Sequence, residues 1–311
     1  MSASSGETAP LDASVLICSR DRPELLLDTV RSVLAGGAVP AELVVVDQSA
    51  LPHDRLAGMG EVRGCRVRYI RTASSGLSRA RNIALRAARH DIAVLVDDDM
   101  LVDAAWLRAL LDGLPAGPRC VATGRVLAAP QEAGAGVIPS AALVTREAPA
   151  VFRGPQPTDV VPGANVAVPR ALVLGLGGYD ERLGAGTRFS AADDNDMGHR
   201  LLLAGAEVHH VPGAVVLHRA WRPQRELVLL RWRYGRGKGA FYAKHAGLRD
   251  RHMLARAGRD VGARLVRAAR AAPRAPRTAL GELLSLGAMG SGALDWLLRE
   301  RLARRLTRPP S

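Results

Sequence analysis

A chain of 311 residues with 48% apolar side chains has the material for one large core, or for one α/β domain with an appendage. Three widely spaced cysteines, Cys18, Cys65 and Cys120, exclude a disulfide scaffold or a paired-thiolate metal site and suit reduced thiols in a cytosolic protein. The net charge of +13 is unevenly placed, with 22 Arg and Lys against 6 Asp and Glu from Arg219 onward and 21 against 24 before it. The basicity therefore belongs to the C-terminal third and needs its own explanation.

Residues 1–12 read as a short polar tail, without the basic-then-apolar order of a signal sequence. Apolar runs at 13–18 and 42–47 predict strands. Between them Pro23 opens a helix in which Leu26, Val30, Val33 and Leu34 repeat at helical spacing until Gly36-Gly37. Strand, helix, strand is a parallel crossover. A third strand is expected at Val67–Ile70 and a helix at Ser78–Arg89. A buried strand follows at Ile92–Val96, then a helix from Asp103 to Leu111. This alternation predicts a doubly wound sheet. From Ala128 to Pro162 the composition is rich in Pro, Gly and Ala and reads as loop with two short strands. A helix from Asp196 to Leu203 and strands at Val208–Val211 and Ala214–His218 complete the pattern, and arginine-rich helices follow Trp221. The most apolar window, Leu280–Leu298, is interrupted by Glu282 and Asp295 and does not read as a membrane span.

Chemistry is concentrated in two acidic clusters. Asp97-Asp98-Asp99 ends the strand Ile92–Val96, and three adjacent carboxylates repel one another unless a cation or cationic ligand sits among them. Ligands of open α/β sheets bind outside the carboxyl ends of strands, and hard divalent ions such as Mg²⁺ or Mn²⁺ share oxygen ligands with a substrate's phosphates. Asp193-Asp194-Asn195-Asp196 opens the later helix. One acid there would be ordinary capping, whereas three in four positions suggest a carboxylate poised as a base, its pKa raised by its neighbours. His218 ends a strand at the same sheet edge as the aspartates, which suits a metal ligand.

In order, these segments resemble the inverting glycosyltransferases of family 2, from about Ser14 to His218. The resemblance implies an α/β fold of GT-A type, a doubly wound, mostly parallel sheet, with a C-terminal helical basic extension. Residues 13–218 are then the catalytic domain and 219–311 the extension. Val44-Val45-Val46-Asp47 matches the strand–Asp motif and gives Asp47 the nucleoside contact. Gly76 through Asn82 matches a glycine-then-Ala-Arg-Asn element lining the nucleotide pocket, with Arg81 in it. Asp97-Asp98-Asp99 matches the Asp-x-Asp motif. Asp99 and His218 are the implied metal ligands, Asp97 lies nearer the ribose, and Asp98 joins the nucleotide-sugar contacts. Gly163-Ala164-Asn165 through Gly177-Gly178-Tyr179-Asp180 matches the segment shaping the sugar pocket and brings in Asn165. Asp193-Asp194-Asn195-Asp196 occupies the Glu-Asp-x-Asp position, with Asp194 as base and Asp193 and Asp196 supporting it or the acceptor. Gln48 departs from a usual second Asp, Cys18-Ser19-Arg20 from a common Thr-Tyr-Asn, and Asp193 from a usual Glu.

The implied reaction is metal-assisted transfer of a hexosyl or deoxyhexosyl group from a nucleotide-diphosphate sugar to an acceptor hydroxyl, with inversion. Cell-surface or secondary-metabolite glycan assembly is its expected setting. Val228-Leu229-Leu230-Arg231-Trp232 lacks the Gln of the processive synthases' Gln-x-x-Arg-Trp, so polymer extrusion is not expected. Gly235-Arg236-Gly237-Lys238-Gly239 lacks the spacing, Ser/Thr and preceding strand of a P-loop. The basic extension carries amphipathic patterns suited to an anionic membrane surface, a lipid-linked acceptor and a peripheral position at the inner face of the plasma membrane. Rival readings are nucleic-acid binding by the arginine-rich helices, for which no recognised fold is present, and a catalytically silent sugar-nucleotide binder. A nicotinamide enzyme is disfavoured, because the first strand leads to Ser19-Arg20-Asp21-Arg22 and not to a Gly-x-Gly-x-x-Gly turn.

Overall fold

The computed structural model describes residues 9–132, 136–139, 143–223, 225–247 and 249–306, the side chains of 304–306 excepted. By compactness the chain divides into two units. The first comprises the chain up to Asp180 together with Met197–Arg222, and the second comprises Glu181–Asp196 and the chain from Pro223 onward.

The first unit is built on one sheet. Its centre is β1 (Leu11–Ser19), with β2 (Pro40–Asp47) on one side and β5 (Ile92–Asp97) on the other, both parallel to it. Outside β2 lie β4 (Cys65–Arg71), parallel, and the short antiparallel edge β3 (Glu61–Val62). Beyond β5 come β9 (Val166–Pro169), β7 (Cys120–Ala128), β10 (Glu207–His218) and β6 (Met100–Val102), with β8 (Ala150–Arg153) also pairing β10. The long pairings are parallel. β9 enters antiparallel between β5 and β7, and β6 and β8 are antiparallel to β10.

Alternation along β1 explains the layering. Val15 and Ile17 face a core that also holds Leu26, Leu27 and Val30 of α1 (Pro23–Ala35) and Trp106 and Leu110 of α4 (Trp106–Asp112). Leu16 and Cys18 face the opposite core, which holds Ala80, Ala84 and Leu85 of α3 (Leu77–Ala87) and Val173 of α5 (Arg170–Gly175). A four-residue helix, α2 (Asp54–Ala57), precedes β3. Helix α6 (Asp193–Leu203) begins in the second unit and ends in the first, where Met197 and Leu201 join that opposite core. The strands expected at Val208–Val211 and Ala214–His218 are one strand, whose register against β7 shifts between Val211 and Val215. Pro212 and Gly213 break the apolar run at that bulge. The cysteines are free, Cys18 and Cys65 being buried.

The second unit is helical: α7 (Glu226–Gly247), α8 (Arg251–Ala271) and α9 (Pro276–Leu306). The run Gly235-Arg236-Gly237-Lys238-Gly239 is its packing device. A Cβ on Gly235 would sit 2.7 Å from Ala288 Cβ, and one on Gly239 would sit 1.9 Å from the Met289 carbonyl oxygen, so the backbones of α7 and α9 approach closely. Gly292 of α9 is likewise 2.1 Å from the Arg236 carbonyl oxygen by the same measure, and Gly237 is 2.7 Å from Ala191. Only glycine permits approaches this close. Trp296 packs on Phe189 with ring centroids 5.4 Å apart, and Leu183, Ala240 and Ala243 close that core. Among the described residues no helix is long and apolar enough to cross a membrane.

Candidate active site

The carboxyl ends of the central strands converge. Cys18 pairs with Asp97 and Ser19 with Asp47, so Asp47 and Asp97 flank the end of β1. They stand about 10 Å apart, two strand spacings. Asp47 is buried and accepts hydrogen bonds from Tyr69 Oη at 2.7 Å and from the Ser49 N–H at 2.9 Å. The neighbouring Gln48 donates to Ser74 Oγ at 3.1 Å and to the Gly76 carbonyl at 3.2 Å, which ties the loop before α3 to the sheet edge.

The three aspartates diverge. Asp97 accepts from Arg81 at 3.0 Å, and the same guanidinium donates to the Gly163 carbonyl at 2.6 Å and lies 5.2 Å from the Tyr179 ring centroid. Burial pushes the Asp97 carboxyl up, against the pull of Arg81. Asp98 turns inward, accepting from Ser19 Oγ at 2.6 Å and from Arg22 at 3.2 Å. Burial pushes it up to about 6, with Arg22 opposing. Asp99 accepts from Arg22 at 3.0 Å, and its other oxygen lies 3.1 Å from His218 Nε2. Burial alone would raise Asp99, but the His218 hydrogen bond and charge, with Arg22 and Arg222, hold it below the usual carboxylate range.

His218 reaches Asp99 because its strand is bent. β10 pairs β6 with His218 opposite Met100, and the Arg219 N–H donates to the Asp99 carbonyl at 2.8 Å. Asn165 secures the bulge upstream. Its amide nitrogen donates to the Arg125 carbonyl at 2.8 Å and to the Ala214 carbonyl at 2.9 Å, while its oxygen accepts from Trp106 Nε1 at 2.7 Å. A Cβ on Gly124 would lie 2.4 Å from that amide nitrogen, so glycine is needed beside it. Asn165 holds φ +60° and is 0% exposed. This corrects the expectation that it contacts a nucleotide sugar: with no surface and every amide hydrogen donated to the chain, it anchors the strand that delivers His218.

Asn82 has a comparable part. It donates to the Tyr179 carbonyl at 2.9 Å and accepts from the Tyr179 N–H at 2.7 Å, and a Cβ on Gly178 (φ +74°) would lie 2.5 Å from its oxygen. The Ala-Arg-Asn and Gly-Gly-Tyr-Asp motifs are thus halves of one clasp.

In the second unit, the first turn of α6 carries Asp193, Asp194 and Asp196. Asp194 is half-buried and accepts from the Asn195 N–H at 2.8 Å. Asp196 is 0% exposed, held by Lys244 Nζ at 2.6 Å and His245 Nε2 at 2.9 Å. It has no surface for an acceptor and, within the second unit, holds the first turn of α6 on Lys244 and His245.

Arg22 and Ser19 were not anticipated as site residues. The available signal was their place at the end of β1 and in the turn that follows it, beside the aspartate triplet in the expected sheet. Asp99 and His218 together offer a carboxylate and an imidazole, a mixed oxygen and nitrogen donor pair that fits a divalent transition metal such as Mn²⁺ better than Mg²⁺.

Comparison with known proteins bears on the family and the fold. Residues 14–165 match the family model described as Glycosyl transferase family 2. The chain is 31% identical over 118 residues to the glucosyl-dolichyl phosphate glucuronosyltransferase of Haloferax volcanii, covering 37% of each protein. It is 30% identical over 181 residues to the pre-mycofactocin glycosyltransferase of Mycobacterium tuberculosis, covering 55% of this chain and 36% of the relative. The matched stretches thus span little more than a third of these relatives' lengths. Among solved structures, a mannosyltransferase from Pyrobaculum calidifontis in complex with GDP-Man and Mn²⁺ superposes with a TM-score of 0.59 at 19% identity, covering 93% of this chain and 88% of that one. TarS residues 1–349 of S. aureus, in complex with UDP, gives 0.53 at 13% identity, with 96% and 93% covered. The shared fold is GT-A.

Proposed function

We propose that this chain, whose residues 14–165 match the family 2 glycosyltransferase model, transfers a sugar from a nucleotide-diphosphate donor to an acceptor hydroxyl with inversion. The observation that carries the reading is the 3.1 Å approach of His218 to Asp99, at the strand ends where Asp47 and Asp97 also stand. Those ends are where an open α/β sheet receives a nucleotide.

In this reading Asp47 meets the nucleoside and Asp97, steadied by Arg81, faces the ribose. Asp98, Arg22 and Ser19 hold the aspartate turn in shape. Asp99 and His218 would hold a divalent cation, which when bound neutralises charge on the departing diphosphate as a Lewis acid. Asp194 takes the proton of the acceptor hydroxyl. The acceptor oxygen bonds to the anomeric carbon as the bond from that carbon to the diphosphate oxygen breaks, and one displacement inverts the centre. The transition state has oxocarbenium character, as in glycoside hydrolysis. The ligands named with the structural neighbours, GDP-Man with Mn²⁺ in one and UDP in the other, support a nucleotide-sugar substrate here. The dolichyl phosphate in a relative's name supports a lipid-linked acceptor for a non-processive enzyme at the membrane.

The test is Asp194→Asn. It is expected to keep donor binding and lose transfer by about 10³-fold or more, the scale of a lost general base with its coupled steps. Transfer near the wild-type rate would refute the assignment of the base.

A further inference from the structure

We infer that Lys244 and His245 of α7 are positioning residues for the base, holding Asp194 in place through the buried carboxylate of Asp196. This rests on the reading of Asp194 as the base and adds the device that fixes it. Every group involved belongs to the second unit.

The turn that carries Asp194 is held at both ends. Ala192 sits at φ +70°, a left-handed conformation that a residue with a Cβ keeps only where its surroundings impose it. The Asp196 N–H donates to the Ala192 carbonyl at 3.0 Å and closes the turn. Ala192, Asp193 and Asp196 are buried, whereas Asp194 and Asn195 between them are half-buried. The base thus stands in the one part of the turn that keeps a surface.

What imposes this shape is one face of α7. Gly237, Phe241, Lys244 and His245 follow one another at intervals of four, three and one, so they form a single stripe of that helix. A Cβ on Gly237 would sit 2.7 Å from both the Cβ and the carbonyl oxygen of Ala191, so the α7 backbone lies against the segment. Phe241 is 0% exposed and shares a core with Ala192. One turn further on, Lys244 Nζ stands 2.6 Å and His245 Nε2 2.9 Å from the same oxygen, Asp196 Oδ1. The His245 ring is itself fixed edge-on to Phe241, with centroids 5.1 Å apart. Successive turns of α7 therefore meet Ala191, Ala192 and Asp196, and Asp194 is carried between the last two.

The chemistry of these contacts suits positioning. A buried ion pair adds little stability over apolar side chains of similar volume, whereas its charge-assisted hydrogen bonds are directional and fix one geometry. Asp196 cannot take the acceptor's proton itself, being without surface and already bound to two donors. A base has to meet its proton within hydrogen-bond reach, and a misplacement of about 1 Å costs on the order of 10²-fold in rate.

The experiment compares Lys244→Met, His245→Leu and His245→Gln in the full chain. Turnover is read as nucleoside diphosphate released from UDP-, dTDP- and GDP-sugars in Mn²⁺ with water as acceptor, and donor affinity is read by calorimetry. Lys244→Met and His245→Leu are expected to lower turnover about 10–100-fold while donor affinity stays within about twofold. His245→Gln keeps an N–H donor and should recover about fivefold of that loss. In an Asp194→Asn background the same substitutions should change the residual rate by less than about twofold, because the group they misplace is already disabled. Lost packing alone would not depend on Asp194 in this way. Circular dichroism checks folding, and where Lys244→Met does not fold the two His245 variants decide. Wild-type turnover in folded Lys244→Met and His245→Leu overturns the inference, and so does an equal loss in both backgrounds; an inactive Asp194→Asn then leaves the base assignment standing. Wild-type turnover in Asp194→Asn overturns the base assignment itself, and the inference with it.

Discussion

His218 Nε2 stands 3.1 Å from Asp99 Oδ1, although the two residues lie far apart in the chain. The contact joins the last residue of β10 to the turn between β5 and β6, and a sheet pairing enforces it. Removing either partner leaves a buried group without its counterpart. His218→Ala is therefore expected to weaken Mn²⁺ binding in the presence of a nucleoside diphosphate at least tenfold, the scale of a lost metal ligand or its support. Electron paramagnetic resonance titration of free Mn²⁺ measures this. An unchanged Mn²⁺ affinity would remove His218 from the site.

Asn165 is a stability prediction with a functional echo. Asn165→Ala strands the Trp106 N–H and the Arg125 and Ala214 carbonyls in a dry interior, which should cost about 3 kcal/mol. Urea denaturation at constant m-value reads the loss. Because the bulge precedes His218, Mn²⁺ affinity should fall as well in the folded fraction.

Glu42 gives a pH prediction. Burial alone would raise its pKa, but Ser14 Oγ at 2.6 Å, Arg68 at 2.8 Å and the Arg89 N–H at 2.9 Å outweigh burial and hold it below 4.5. The folded state then binds this proton less readily than the unfolded one, so the stabilisation is complete above pH 4.5 and is lost as pH falls below it. Glu42→Gln should cost about 2–4 kcal/mol at pH 7 and progressively less in acid. A stability difference that does not change from pH 7 to pH 3 would contradict this account of Glu42.

Gly239 tests the helical unit. A Cβ there would stand 1.9 Å from the Met289 carbonyl oxygen, a backbone atom that cannot step aside alone. Gly239→Val should separate α7 from α9 and lower the unfolding free energy by at least about 3 kcal/mol. Gly247→Ala, where an added Cβ meets nothing within 4 Å, is the control and should leave stability within about 1 kcal/mol.

Much of this was legible in the residues. Periodicity placed β1, α1, β2, β4, α3 and β5, because each is either a long apolar run or a helix with one apolar face. The resemblance ordered the motifs, and the strand-end positions of Asp47, Asp97 and His218 followed. What escaped has a common cause. β9 is four residues long and owes its place to pairing with β5 and β7, which local pattern does not record. Asn165 looked like a ligand contact because it lies in a motif, and only the bulge opposite Gly124 reveals an anchor. The Gly235–Gly239 run was recognised as no phosphate loop, yet its use needed α9 and Ala191 in view. Glu181–Asp196 carries no pattern that would group it with helices more than thirty residues on; Phe189 against Trp296 does that.

The most direct measurement is calorimetric titration of UDP-, dTDP- and GDP-sugars into the protein, with Mn²⁺ and again with chelator. The account predicts that one nucleotide class binds in Mn²⁺, and that chelator or Asp99→Asn removes the binding. Folded protein that binds none of them, or binds equally well with chelator, would contradict a metal-assisted nucleotide-sugar site at Asp99 and His218.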